Sequence, residues 1–124
     1  MFESTKAFSG FAVDNLQKAR GFYEGTLGLR VSEGGGDLTL HLAGGRDTFV
    51  YSKPDFSPAT YTILNFPVDD IETAVDELVA RGVRFERYEG ADQDEHGISR
   101  SEAGPIIAWF RDPAGNILSV LEEG

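Results

Sequence analysis

The sequence has no cysteine among its 124 residues, so it forms no disulfide, thiolate metal site or cysteine nucleophile. Basic residues are also scarce, because 11 Lys and Arg stand against 21 Asp and Glu and give a formal net charge of -10. Nucleic acids and anionic membrane surfaces attract basic proteins. Neither is therefore expected as a partner.

Long apolar runs are missing as well. No stretch approaches the roughly 20 residues of a transmembrane helix, and the opening MFESTKAF carries an early acid where a signal peptide needs an apolar segment. What is present is a hydrophobic fraction of 40%, with nine Phe, four Tyr and one Trp, which is typical of a folded chain. These features predict one soluble, cytoplasmic domain spanning residues 1–124.

One segment of the sequence occurs twice. FAVDNLQKAR, from Phe11, and FPVDDIETAV, from Phe66, share an alternating strand pattern followed by apolar residues at helical spacing. We predict helix N-caps at Asp14 and Asp69, with Gln17 and Glu72 three residues later as in a capping box. Gly28 and Gly82 are predicted to end the two helices.

The later strands repeat too, which predicts two tandem β-α-β-β-β modules, one at residues 5–54 and one at residues 60–122. The strands after the helices are expected at residues 29–32, 38–43 and 48–53, and at residues 83–88, 106–111 and 116–121. GGG at residues 34–36 is a hairpin linker. Residues 89–104 form an insertion in the second module, which we interpret as a lid with His96 and Arg100 near a ligand.

Strand alternation separates a uniformly apolar face, expected against the helices, from a mixed face. The mixed face would line a concave surface, called the cup below, and aromatic walls with a few polar groups suit a small-molecule pocket. The candidate ligand-binding residues are Phe8, His41, Phe49, Tyr51, Ile63, Asn65, Tyr88, Trp109 and Ser119. An apolar concave face can equally be an interface with another chain.

Three motifs carry a family resemblance: VDNLQKARGFYEGTLGL from Val13, VDDI from Val68 and DPAGN from Asp112. With the paired modules, they make the chain similar to the vicinal-oxygen-chelate superfamily, which includes glyoxalase I, extradiol dioxygenases and bleomycin-resistance proteins. The resemblance implies an α+β fold, in which both modules form one curved mixed sheet with helices outside. It also implies a homodimer.

Metal-dependent members of that superfamily hold a divalent ion with His, Glu or Gln at four strand positions. Carried over to this sequence, the positions are occupied by Phe8, Tyr51, Ile63 and Ser119. None of these is a His, Glu or Gln, and a Phe or Ile side chain has no lone pair to donate. We therefore expect no metal and no other cofactor.

The resemblance favours a binding protein of the bleomycin-resistance type, which would take an apolar or aromatic small molecule without catalysis. An alternative is a glyoxalase- or dioxygenase-like enzyme, either metal-independent with His41 and Glu86 as acid and base or using a displaced metal. Another is an accessory domain whose cup is an interface. His41 could also be a structural histidine bonded to a neighbouring carboxylate.

Overall fold

The computed structural model describes residues 1–123. The chain divides into two compact units, Met1–Ser57 and Pro58–Gly124, and Gly124 itself lies outside the described residues. Each unit is built from one strand, one helical segment and further strands that return to the first.

The first unit contains a four-stranded mixed sheet in the order β1-β4-β3-β2. Its elements are β1 Ser9–Val13, α1 Leu16–Arg20 continued by a π-helical turn Gly21–Thr26, β2 Arg30–Gly34, β3 Asp37–His41 and β4 Thr48–Ser52. β1 and β4 are parallel, whereas β4, β3 and β2 are antiparallel to one another. The predicted order of elements in this module is confirmed.

The predicted glycine hairpin joins β2 to β3. Gly34 pairs with Asp37, so the loop has two residues, Gly35 and Gly36, with φ of 63° and 86°. Two consecutive positive φ angles define the turn whose twist matches that of the flanking strands, and glycine adopts them without steric cost. The hairpin brings Ser32 of β2 and His41 of β3 close together, which matters for the chemistry of this face.

The second unit contains a three-stranded mixed sheet in the order β5-β7-β6, with β5 and β7 parallel. Its elements are β5 Thr62–Pro67, α2 Ile71–Ala80, β6 Ile106–Arg111 and β7 Ile117–Glu122. The predicted strand at residues 83–88 is wrong: only Phe85 bridges β6, at Phe110. The insertion pairs with the remaining edge of β6, because Ser99 exchanges two backbone hydrogen bonds with Ile107, at 2.8 and 3.1 Å.

The helix caps lie one residue later than predicted. Asn15 Oδ1 accepts a hydrogen bond from Lys18 N at 3.0 Å, and Asp70 Oδ1 accepts one from Thr73 N at 3.2 Å. Asp14 and Asp69 are not the caps, and with the caps shifted, Gln17 and Glu72 no longer stand at the capping-box position. The ends are as predicted, since Gly28 and Gly82 follow the helices with φ of 73° and 93°.

The predicted helix-facing sides of the sheets form the cores of the two units. In the first unit Tyr23 is fully buried, and its ring centroid lies 5.7 Å from that of Phe11. Other buried residues of the predicted helix-facing set are Phe11, Val13, Leu38, Leu40 and Val50 in the first unit and Ala108, Phe110, Leu118 and Val120 in the second. The α+β class with two strand-helix-strand units is therefore confirmed, although the second unit lacks the second strand of the β-α-β-β-β pattern. Each helix covers one face of its own sheet.

In residues 1–123 no helix has both the length and the apolar character needed to cross a bilayer.

Candidate functional site

The second unit carries an open pocket of about 290 Å³. It is lined by Thr60, Tyr61, Thr62, Tyr88, Trp109 and Ile117. The rings of Tyr88 and Trp109 meet edge to face, with centroids 5.4 Å apart and an interplanar angle of 66°. This T-shaped contact is a favoured geometry for aromatic pairs and fixes two walls of the pocket.

Trp109 stands on the sheet face that the helix α2 does not cover. Its neighbours along β6, Ala108 and Phe110, are fully buried on the helix side, so Trp109 points the opposite way. The backbone of Trp109 also accepts a hydrogen bond from Glu86 N at 2.8 Å, which holds residues 85–88 at this edge. Tyr88 thereby reaches the same face as Trp109.

The Tyr88 hydroxyl is the one buried side-chain polar atom without a hydrogen-bond partner in the part of the chain that the structure describes. The ring is half-buried, whereas the hydroxyl oxygen at its end is covered. Burial raises the pKa of Tyr88, the Glu86 carboxylate raises it further, and the Arg111 guanidinium opposes both. The hydroxyl therefore keeps its proton at neutral pH.

The DPAGN turn positions the rim of the pocket. Asp112 Oδ1 accepts hydrogen bonds from Ala114 N and Asn116 N, at 3.0 and 2.9 Å, and Gly115 supplies the left-handed residue with φ of 96°. The buried Asn116 then accepts a hydrogen bond from Ala59 N through its Oδ1 at 3.1 Å. This long-range contact fixes the segment that enters β5 and carries Thr60, Tyr61 and Thr62.

The insertion supports Tyr88 from the outer edge of the sheet. Gln93 Oε1 accepts a hydrogen bond from Tyr88 N, and Gln93 Nε2 donates to the carbonyls of Glu86 and Gly97, each at 2.8 Å. Ile98 of the insertion is 1% exposed and belongs to the core of the unit. Residues 89–104 are thus packed along the edge strand.

The two residues expected at a lid have other positions. Arg100 binds the carboxylates of Asp94 and Glu72, and the Glu72 contact, at 2.8 Å, places its guanidinium beside α2. That helix lies against the sheet face opposite to Trp109. His96 is half-exposed and lies 3.6 Å from the Glu95 carboxylate. The lid interpretation stays a prediction, and the contacts of Arg100 do not support it.

Three predicted ligand residues of the second unit lie outside the pocket lining. Ser119 is fully buried and its hydroxyl donates to Asn65 Oδ1 at 2.6 Å, which pairs the hydroxyl within the protein. Ile63 is half-buried at a register shift between Thr62 and Leu64, where β5 has one residue more than β7. Of the five candidates on this unit, the structure brings Tyr88 and Trp109 together in the pocket.

The first unit carries the other four candidates. Phe49 and Tyr51 stack on β4 with ring centroids 5.8 Å apart and an interplanar angle of 25°, and both are half-buried. Phe8 precedes β1 and is 71% exposed. His41 faces the same side of the sheet as Phe49. Each follows or precedes a buried residue, Leu40 or Val50, and neighbouring residues of a strand point to opposite faces.

His41 is hydrogen bonded at both ring nitrogens. Its Nε2 lies 2.7 Å from Ser32 Oγ, and its Nδ1 lies 3.2 Å from Asp47 Oδ1. An Asp carboxylate accepts a hydrogen bond, so it favours the tautomer with the proton on Nδ1 and leaves Nε2 to accept from the Ser32 hydroxyl. Glu86, the predicted acid–base partner of His41, binds Arg111 Nε at 2.6 Å in the second unit.

The four positions at which the superfamily's metal-dependent members hold their ion do not fit a divalent metal. Phe8, Ile63, Tyr51 and Ser119 offer two hydroxyls and no carboxylate or imidazole. Across residues 1–123, no three or more His, Asp or Glu side chains come close enough together to hold an ion. These four positions therefore lack the donor set of the superfamily's metal site.

The sequence profile of the Glyoxalase/Bleomycin resistance protein/Dioxygenase superfamily matches residues 7–120. The chain belongs to this superfamily. The predicted resemblance is thus confirmed over nearly the whole chain. No curated protein sequence matches the chain.

Several solved structures have the same fold. The glyoxalase family protein from Enterococcus faecalis is 22% identical with a TM-score of 0.69, covering 98% of this chain and 100% of that one. TnmS3, an antibiotic binding protein from Streptomyces sp. CB03234, is 20% identical with a TM-score of 0.67 and 98% coverage of both chains. The fosfomycin resistance protein FosX from Mesorhizobium loti is 14% identical with a TM-score of 0.67, covering 100% and 95%.

Sequence reasoning missed four of the six pocket residues. Thr60 and Tyr61 precede β5, and their place at the rim depends on the contact from Ala59 to Asn116, which joins residues far apart in sequence. Ile117 was detectable, because it alternates with Leu118 and so belongs to the mixed face of β7. Thr62 pairs with Ile117 across the sheet. Simple alternation along β5 does not predict this pairing, because the register shifts at Ile63.

Proposed function

We propose that this protein binds a small apolar or aromatic molecule and has no metal-dependent activity. The observation that carries the proposal is the pocket of the second unit, in which Trp109 and Tyr88 form two aromatic walls. Its volume of about 290 Å³ lies just below the range of about 300–1,000 Å³ for ligand pockets. A compound of one or two rings suits this size.

Similar structures support a binding role. TnmS3 is an antibiotic binding protein by name, and FosX is a fosfomycin resistance protein. Neither is similar enough in sequence to transfer its ligand. We extend the proposal to a cytoplasmic homodimer, as the superfamily resemblance implies, and we propose that Phe8, Phe49 and Tyr51 contact ligand on the first unit.

A ligand screen tests this proposal directly. Thermal shift measurements with a panel of one- and two-ring aromatic compounds should reveal ligands that raise Tm. A ligand at 100 times its Kd stabilises the folded state by about 2.7 kcal/mol. The indole N–H resonance of Trp109 should shift during titration in ¹⁵N-labelled protein, and it is unambiguous because the chain has one Trp.

Variants then locate the site. Trp109→Leu should abolish the thermal shift, whereas Phe2→Leu, at an exposed aromatic position outside the pocket, should leave it unchanged. Phe49→Leu tests whether the aromatic pair of the first unit contacts the ligand. Stoichiometric, tightly bound Ni, Zn, Fe or Mn in the purified protein would contradict the proposal, as would the absence of any ligand response, which would favour a cup that is an interface.

A second candidate function is metal-independent acid–base catalysis at His41. The specific observation in its favour is that Nε2 contacts a hydroxyl while Asp47 orients the ring, an arrangement in which the imidazole can accept a proton. Glu86, engaged by Arg111, would have no part in it. Turnover of any compound found in the screen, lost in His41→Gln with binding retained, would replace the pure binding role.

A further inference from the structure

The unpaired Tyr88 hydroxyl has a physical cost that needs an explanation. A buried polar group without a partner costs about 1–3 kcal/mol of folding stability, and native proteins contain few such groups. Two other hydroxyls on these sheet faces are paired, since Ser32 contacts His41 at 2.7 Å and Ser119 donates to Asn65 at 2.6 Å. Tyr88 differs from them by lining the pocket.

The surroundings of Tyr88 keep its hydroxyl in place. Gln93 binds the backbone N–H of Tyr88 at 2.8 Å, and Trp109 packs edge to face against the ring. Both contacts restrict the side chain to one orientation, which lowers the entropy that a ligand contact would cost. The hydroxyl oxygen is covered in the free protein, so a ligand reaches it only after side chains of the pocket move. The rim residues Thr60 and Tyr61 are exposed and can move without disturbing the core.

The charge state of the hydroxyl defines what it can bind. Burial and the nearby Glu86 carboxylate both raise the pKa of Tyr88, so the group is a neutral phenol at pH 7. A neutral phenol offers one O–H donor. The ligand atom that complements it is therefore a hydrogen-bond acceptor, and the acceptor must be attached to a planar body that can lie against the Trp109 ring.

We propose that Tyr88 is the recognition residue of this pocket, and that it selects planar aromatic ligands with a ring-attached acceptor such as a ketone or quinone oxygen. This inference rests on the binding function proposed above and specifies its ligand class. The unpaired hydroxyl in the free protein lowers stability, and its pairing in the complex raises affinity. Binding sites commonly retain such locally unfavourable groups.

Tyr88→Phe tests both halves of this inference. In the free protein the variant should raise Tm by about 3 °C, because it removes the unpaired hydroxyl and leaves the ring in place. Affinity is measured by titrating the Trp109 indole resonance with 2-acetylnaphthalene, which has a ketone acceptor, and with 2-ethylnaphthalene, which is similar in size and has none. Tyr88→Phe should weaken the ketone about five- to tenfold and leave the hydrocarbon unchanged.

Phe2→Leu is the control, because Phe2 is 73% exposed and lies outside the pocket lining. It should change neither Tm nor the preference between the two probes. If wild-type protein binds both probes equally and Tyr88→Phe does not alter their ratio, the inference is overturned while the binding function stands. A lower Tm for Tyr88→Phe would also overturn it, since the hydroxyl would then be satisfied. Failure of both probes to bind wild type would contradict the binding function and the inference together.

Discussion

The two units derive from the same β-α-β-β-β pattern but differ at the edge strand and in how their polar groups are paired. In the first unit, β2 pairs with β3 over five residues, and the Ser32 hydroxyl on β2 contacts His41. In the second unit the equivalent segment makes one bridge at Phe85, and the insertion takes over the remaining edge. The pocket and the unpaired hydroxyl both occur where regular pairing is lost.

This difference indicates how one module of a repeat can specialise for binding. A continuous edge strand fixes side chains at the sheet period and satisfies its backbone internally. Where Gln93 replaces strand pairing at Tyr88 N, the side chain at that position packs against Trp109. The insertion therefore supports the pocket indirectly, and each of the following predictions alters one unit while leaving its counterpart intact.

Phe110→Ala should have the largest effect. Phe110 is fully buried, its ring centroid lies 5.6 Å from that of Phe85, and it forms the bridge that holds residues 85–88. We expect a loss of about 3–5 kcal/mol in the free energy of unfolding, measured in urea, with faster hydrogen exchange at Glu86. Leu42→Ala, at the half-buried equivalent position of the first unit, should cost about 1–2 kcal/mol. Equal losses would contradict the assignment of Phe110 as the support of that edge.

Asn116→Ala should follow in size. The substitution removes the acceptor for Ala59 N and the amide that donates to Asp112 Oδ2 at 3.1 Å, leaving buried polar groups unpaired. A loss of about 2–3 kcal/mol is expected, together with faster exchange of the Ala59 amide. Gln17→Ala is the control, because Gln17 is exposed and its effect should stay below about 1 kcal/mol. Unchanged exchange at Ala59 would show that the rim is held in another way.

Much of this fold follows from sequence, whereas the pocket does not. The repeat, the glycine stops and the alternation of β6 are local patterns, so the helices, most strands and the outward position of Trp109 were predictable. The caps were misplaced by one residue because Asp14 and Asn15 are both good capping residues, as are Asp69 and Asp70. The loss of the strand at residues 83–88 depends on Gln93 and Ser99, and no local pattern shows how an insertion competes for an edge.

Acidification should destabilise the edge of the second unit more than the edge of the first, and this effect should be smaller than those of the two substitutions above. Partial burial raises the pKa of Asp94, but hydrogen bonds from Ile98 N, Arg100 and His96 N outweigh it and hold the pKa below the ordinary 3.8. The stabilisation is therefore complete above about pH 4 and is lost as the pH falls through the lowered value.

The Asp94 side chain is about a third exposed, which limits the effect to less than about 1 kcal/mol. Hydrogen exchange at Ile98 should accelerate on moving from pH 5 to pH 3, after correction for intrinsic rates, more than exchange in the β2–β3 hairpin. Asp94→Asn should produce the same loosening at pH 7. Parallel acceleration in the hairpin would mean that acid acts on the whole chain and not on this contact.

Ser32→Ala should give the smallest effect and the sign opposite to Tyr88→Phe. The Ser32 hydroxyl pairs with His41 on an exposed strand, so its loss should lower the free energy of unfolding by about 0.5 kcal/mol, since water can replace it. His41 remains held by Asp47 at 3.2 Å, and its ring should not change orientation. Urea denaturation of both variants beside wild type gives the comparison, because one removes a satisfied hydroxyl and the other an unsatisfied one. Stabilisation by both would mean that hydroxyls on these sheet faces are unfavourable wherever they lie, and the contrast between the units would then not depend on pairing.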